Sequence, residues 1–77
     1  MNQQAISTLR LADGGLTDRD LQVLRLMVEG FADKEIAHAI GVSVFTVNKS
    51  IQAILRHTHA TSRTQAAVRA IKQGIVD

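Results

Sequence analysis

Two short amphipathic segments, separated by only three residues, constrain the fold of this chain more than any other feature. They lie in residues 33–52, which read DKEIAHAIGVSVFTVNKSIQ. Ala37 is small enough for a close helix crossing, and Gly41 accepts the positive φ of a tight turn without a Cβ penalty. Ser43 is placed to cap the second segment, and Val47 to fill the angle between the two. The pattern predicts a helix-turn-helix, in which two helices cross at roughly 90–120°.

Polar caps and glycines predict two further helices around this motif. Thr17 and Asp20 form a capping-box pattern, and Ser62 is expected to cap the last helix together with a Gln three residues on. Asp33 is expected to cap the second helix, and Gly30 to follow the end of the first. The predicted helices cover residues 18–29, 34–40, 44–58 and 62–73. The fold class is therefore all-α, a four-helix helix-turn-helix domain unrelated to the winged helix.

The length of 77 residues allows one small domain. We expect residues 1–15 to be a tail or linker with a fragment of helix at 4–11, because a DGG sequence breaks what precedes it. Residues 16–77 then form the folded domain. The chain has no cysteine, no signal peptide and no apolar run near the roughly 18 residues of a membrane span, so we expect a cytoplasmic protein.

Charge is distributed unevenly along the chain. The first 35 residues carry four basic and six acidic side chains, whereas residues 36–76 carry five basic side chains and no Asp or Glu. A long segment without carboxylates suits a polyanionic partner, although a merely solvated basic surface has the same composition. Within it, the helix over 44–58 has an apolar side with Val44, Val47, Ile51, Ile54, Leu55 and Thr58.

The other side of that helix carries groups suited to the major groove of DNA. Phe45, Lys49, Gln52 and Arg56 lie away from the apolar side, and Asn48 lies at the boundary. Amide side chains pair with adenine, and Lys or Arg with guanine. An ordinary solvated helix face is the alternative, and the helix-turn-helix context favours DNA.

Several motifs in fixed order resemble the LuxR/FixJ-type, or GerE-like, DNA-binding domain of bacterial transcriptional regulators. The resemblance covers about residues 16–76. It is carried by LTDRD at 16–20, GF at 30–31, DKEIA at 33–37, VS at 42–43, TV at 46–47 and SRTQA at 62–66. It implies a dimeric output domain behind a receiver domain, as in response regulators, or behind a ligand-binding domain. A stand-alone small regulator is the alternative.

The resemblance also assigns roles by position. It places Asn48, Lys49 and Gln52 where the family reads bases. Phe45, which departs from the family pattern, is expected to join them by contact with a thymine methyl group, or else to pack on a partner protein. It places Lys34 and Thr46 near phosphate-contacting positions. We also expect phosphate contacts from Ser43, Arg56 and Arg63, and the role of Arg63 in the family is partly structural. Dimer contacts are expected from Val68 and Ile71. Double-stranded DNA is the expected partner, and no cofactor, metal, membrane or catalytic residue is expected.

This chain departs from the family pattern at several positions. Asn48 stands where a lysine is usual, and Ser50 where a histidine is usual. A lysine-leucine pair is replaced by His57 and Thr58, and Val44 and Phe45 replace polar residues. We therefore expect weaker non-specific affinity, an altered sequence preference, and poorer packing with fraying at the end of the third helix.

Other functions are less well supported by the sequence. His57 and His59 form a poor ligand set for a metal without a cysteine or a nearby carboxylate. The acidic residues at helix starts are explained as caps rather than as catalytic pairs. A protein-interaction module that kept the fold and lost DNA binding remains an alternative, because of Asn48 and the apolar Val44–Phe45 pair. Region 4 of a sigma factor shares the SxxTV element but not the SRTQA helix.

Overall fold

The computed structural model describes residues 15–76, which contain four α-helices and no strand. The helices are α1 (Asp18–Val28), α2 (Asp33–Ile40), α3 (Val44–Thr58) and α4 (Arg63–Lys72). This architecture confirms the all-α, four-helix prediction. The tail predicted for residues 1–15, with its fragment of helix at 4–11, lies outside the described residues except for Gly15.

Local side-chain caps explain where three of the helices begin. The Thr17 hydroxyl accepts from the backbone N–H of Asp20 at 3.0 Å, and the Thr17 N–H donates to the Asp20 carboxylate at 3.1 Å. Ser43 and Ser62 each accept from the N–H three residues later, at 3.1 Å in both cases. These bonds satisfy N–H groups that have no partner inside a helix, and they confirm the predicted starts of α1, α3 and α4.

Two details of the predicted capping are wrong. Helix α2 begins one residue early, with Ala32 as its N-cap and Asp33 inside the helix. The Glu35 carboxylate accepts from the Ala32 N–H at 2.7 Å. The Asp33 carboxylate does not cap the helix and can therefore bind a side chain of another helix. At the start of α4, the Gln65 side chain accepts at 2.8 Å from the N–H of Thr61, one residue before the cap, instead of completing a capping box.

Helix α3 is the centre of the domain, since it packs against each of the other three helices. In the described part of the chain α2 and α4 do not pack against one another, and both pack onto α1 and α3 instead. The largest fully buried side chains are Leu24, Ile36, Ile54, Val23, Val47 and Thr58. One side of α3 is therefore committed to the core, and its opposite side is left to solvent.

The turn of the helix-turn-helix has the geometry that the sequence predicts. Gly41 ends α2 in the left-handed region at φ 72°, and the Val42 N–H donates to the Ala37 carbonyl at 3.0 Å. Ser43 then begins α3 directly. The two helices are held in fixed relation by this three-residue connection and by Ala37, Val47 and Ile51, which are buried.

Helix α3 ends at a cap that the local sequence does not reveal. His59 adopts the left-handed conformation at φ 57°, and Arg69 of α4 donates to the carbonyls of Thr58, at 3.2 Å, and of His59. The buried Thr58 hydroxyl donates to the Ile54 carbonyl at 2.8 Å. In the structure α3 is helical through Thr58, and the bonds from Arg69 to the carbonyls of Thr58 and His59 oppose the predicted fraying, which stays a prediction.

Candidate nucleic-acid interface

The exposed face of α3 is a continuous stripe of side chains opposite the core. We define it as Phe45, Asn48, Lys49, Gln52 and Arg56, all of which are exposed. Four of them follow one another at spacings of four, three and four residues, which places them on one side of a helix. At about 1.5 Å per residue, the stripe is roughly 16 Å long. It combines an aromatic ring, two amides, an ammonium and a guanidinium.

The first turn of α3 carries two exposed apolar side chains. Phe45 is 71% exposed and Val44 is 38% exposed. Val44 was predicted on the core side, but it lies one turn ahead of Val47, the first fully buried residue of α3, and so extends past the packed part of the helix. The Lys49 ammonium lies 5.4 Å from the centroid of the Phe45 ring, within cation–π range.

The N-terminus of α3 presents polar groups suited to an anion. The Ser43 hydroxyl accepts from the Thr46 N–H and donates to the Thr46 hydroxyl oxygen, both at 3.1 Å. Because the Thr46 oxygen accepts this bond, its own proton remains available to an external acceptor. The helix dipole adds partial positive charge at the same end, where phosphate groups bind favourably.

Arg63 occupies a different environment from the exposed face of α3. Its guanidinium pairs with the Asp33 carboxylate and donates to the Phe31 carbonyl at 3.4 Å. These contacts join the start of α4 to the start of α2, two helices that do not otherwise pack together. The structure therefore shows a positioning role for Arg63.

Two of the five basic residues between positions 36 and 76 thus serve the fold. Arg63 holds α2, and Arg69 holds the end of α3. Sequence analysis expected a partly structural role for Arg63 but not its partners, and it missed the role of Arg69 altogether. Within residues 15–76, Lys49 and Arg56 form no ion pair, so their charges remain available to a ligand.

The predicted dimer residues lie together on another surface. Val68 and Ile71 of α4 are 45% and 47% exposed. They line an open groove of about 870 Å³ between α4 and the turn that joins α1 to α2, with Val28 and Phe31 on its other wall. Lys34 is exposed and borders the same groove.

Residues 15–76 contain no cluster of three or more His, Cys, Asp or Glu side chains that is arranged to hold a metal ion. Across the same residues, a search for helices with the length and apolar character of a membrane span finds none.

The sequence profile of the bacterial regulatory proteins of the luxR family matches residues 15–70. The chain belongs to the LuxR family. The match includes the helix-turn-helix and most of α4, so the four described helices form the LuxR-family domain. The family consists of DNA-binding transcriptional regulators, which are not enzymes.

Curated relatives of this LuxR-family domain are bacterial regulatory proteins. It is 39% identical over 61 residues to the transcriptional regulatory protein DegU of Brevibacillus brevis, covering 79% of this chain and 26% of that protein. It is 43% identical over 60 residues to the uncharacterized transcriptional regulatory protein YxjL of Bacillus subtilis (strain 168), covering 78% and 28%. The response regulator protein VraR of Staphylococcus aureus (strain NCTC 8325 / PS 47) is 31% identical over 61 residues, covering 79% and 29%. The LuxR-family domain thus spans about a quarter of the length of these relatives.

Proposed function

We propose that this LuxR-family domain binds double-stranded DNA in a sequence-specific manner, with α3 in the major groove, as the output domain of a cytoplasmic transcriptional regulator. The observation that carries the proposal is the exposed face of α3, a roughly 16 Å stripe of DNA-compatible side chains on the second helix of a helix-turn-helix. The major groove is about 12 Å wide and admits one α-helix.

Base reading is assigned to Phe45, Asn48, Lys49 and Gln52. The two amides can each pair with the N6 and N7 edge of adenine, and the lysine with O6 or N7 of guanine. Their backbone belongs to a helix that is buried on its other side, so the side chains are presented from a rigid element.

Phosphate contacts are assigned to the two ends of α3 and to α2. Ser43 and Thr46 lie at the positive end of the α3 dipole, and Arg56 lies near its other end. Lys34 contributes from the first turn of α2. Arg63 keeps a smaller share of this role, because its guanidinium is already paired with a carboxylate.

Two identical domains on one duplex would explain the apolar groove beside α4. We assign the dimer contact to Val68 and Ile71, whose side chains are nearly half exposed. The relatives are about four times longer than the matched region. We therefore also propose that a receiver or ligand-binding domain precedes this domain in the full-length regulator.

Fluorescence anisotropy of a labelled DNA duplex at two salt concentrations tests the proposed function. The label must be on the DNA, since the chain has no Trp or Tyr. We expect micromolar binding that weakens steeply as salt rises, because bound Lys and Arg release counterions from phosphate. Absence of binding at low salt would contradict the proposal. It would favour a protein-interaction module, for which the exposed Phe45 ring is the supporting observation.

A further inference from the structure

The pairing of Phe45 with Lys49 is the least expected feature of the exposed face of α3. An aromatic side chain that is 71% exposed leaves most of its apolar surface in water. The Lys49 ammonium, one helical turn later, lies 5.4 Å from the ring centroid and covers part of one ring face. The remaining ring surface is in the first turn of α3, the part of a recognition helix whose side chains contact base edges.

We infer that Phe45 and Lys49 form one reading unit that recognises a thymine and a guanine one or two base pairs apart, an inference that rests on the proposed function. The four-residue spacing separates the two side chains by about 6 Å along the helix axis. Base pairs in DNA are about 3.4 Å apart, so this separation corresponds to one or two base-pair steps.

The chemistry of the two groups defines the bases. Thymine alone among the four DNA bases carries a C5-methyl group in the major groove, and the Phe45 ring offers it an apolar contact. The Lys49 ammonium can donate to both N7 and O6 of guanine. No acidic side chain occurs in residues 36–76 to draw the ammonium away from the base.

The cation–π contact makes the two recognitions interdependent. A lysine side chain loses rotamer freedom when it binds a base, and a lysine already held over a ring loses less. When the duplex excludes water from the ring, the contact between ring and ammonium also strengthens. Loss of the ring should therefore weaken guanine recognition as well as thymine recognition.

The test uses the domain and a DNA duplex that the domain selects, by binding, from a library of duplexes with random sequences. The selected half-site is expected to contain a thymine and a guanine one or two base pairs apart. Deoxyuridine then replaces that thymine, which deletes only the methyl group, and 7-deazaguanine replaces that guanine, which deletes only the N7 acceptor. We expect losses of about fourfold for the methyl group and about tenfold for the acceptor.

Variants of Phe45 separate the two contacts. We call the loss of affinity on deoxyuridine substitution the methyl effect, and the loss on 7-deazaguanine substitution the acceptor effect. In Phe45→Ala, the methyl effect should disappear and the acceptor effect should shrink. In Phe45→Leu, the methyl effect should persist while the acceptor effect shrinks, because leucine offers an apolar contact without a π face. Val44→Ala is the matched control, an exposed apolar residue of the same turn. Val44→Ala should leave the methyl effect and the acceptor effect unchanged. Thermal melts should show that all three variants fold.

Equal wild-type affinity for the thymine and deoxyuridine duplexes would overturn the inference. An acceptor effect of the same size in wild type and Phe45→Ala would overturn the coupling between the two residues. In both cases the selected duplex still binds, so the proposed function would stand. Failure to select any duplex would instead reject the proposed function, and the inference with it.

Discussion

Lys49 and Gln52 extend from α3 into solvent, so their side chains can be removed without disturbing the core. We predict that Lys49→Ala or Gln52→Ala weakens specific binding by about 1–3 kcal/mol, because each loses a hydrogen-bonding contact with a base edge. The measurement is anisotropy against the selected duplex, with a thermal melt to show an unchanged fold. Lys72→Ala, which removes an exposed charge from α4, is the control for net charge. Full affinity in both α3 variants would contradict the assigned reading face.

Arg56 and Arg63 carry the same charge, but their removal should affect the salt dependence of DNA binding differently. Arg56→Gln should reduce the slope of log K against log salt by about 1, because one phosphate contact is lost. Arg63→Gln should change the slope less and instead destabilise the fold by up to about 1 kcal/mol, because it breaks a partly exposed ion pair with Asp33. Salt titrations and urea melts of both variants test this contrast. A larger slope change for Arg63→Gln would reverse the assignment.

At the scale of the elements, the turn between α2 and α3 depends on one backbone conformation. Gly41 has φ 72°, and an added Cβ would meet no atom within 4 Å. Gly41→Ala should therefore destabilise the domain by about 1–2 kcal/mol through the left-handed backbone alone. Gly41→Asn should cost less, because asparagine tolerates this conformation. Equal urea midpoints for wild type and Gly41→Ala would show that the turn does not require glycine.

Local signals in the sequence predicted most of these elements. Thr17, Ser43 and Ser62 act within three residues, so a short pattern contains all that their caps require. The contacts that sequence analysis missed join distant positions. Arg63 reaches a carboxylate 30 residues away, and Arg69 reaches carbonyls 10 and 11 residues away. A local pattern does not indicate that two helix ends will meet, because that follows from the packing of the whole domain.

The side of α3 that faces the core was likewise predictable from helical periodicity, except at the start of the helix. Val47, Ile51 and Ile54 are buried as expected, whereas Val44 is exposed. Periodicity gives the angular position of a side chain around a helix but not where the neighbouring helices end along its axis. The roles of the exposed residues in DNA binding remain predictions.

At the scale of the whole molecule, folding and assembly should depend on different apolar residues. Val47→Asp should unfold the domain, because it places a carboxylate at a fully buried position in the core. Val68→Asp should leave the fold intact, because Val68 is 45% exposed, and should instead weaken cooperative binding to a duplex with two half-sites. Circular dichroism melts and binding curves on one-site and two-site duplexes distinguish the two effects. A cooperative melt of Val47→Asp close to that of the wild type would show that Val47 is not in the core.

The central claim is that the exposed face of α3 is the surface that meets DNA. Amide chemical shifts of the isotope-labelled domain, recorded during titration with the selected duplex, test this claim most directly. The largest shifts are expected at residues 43–56 and in the first turn of α2, with much smaller shifts on the exposed side of α1. A set of shifts centred on α1, with residues 43–56 unchanged, would contradict the claim and place the DNA-binding surface elsewhere on the domain.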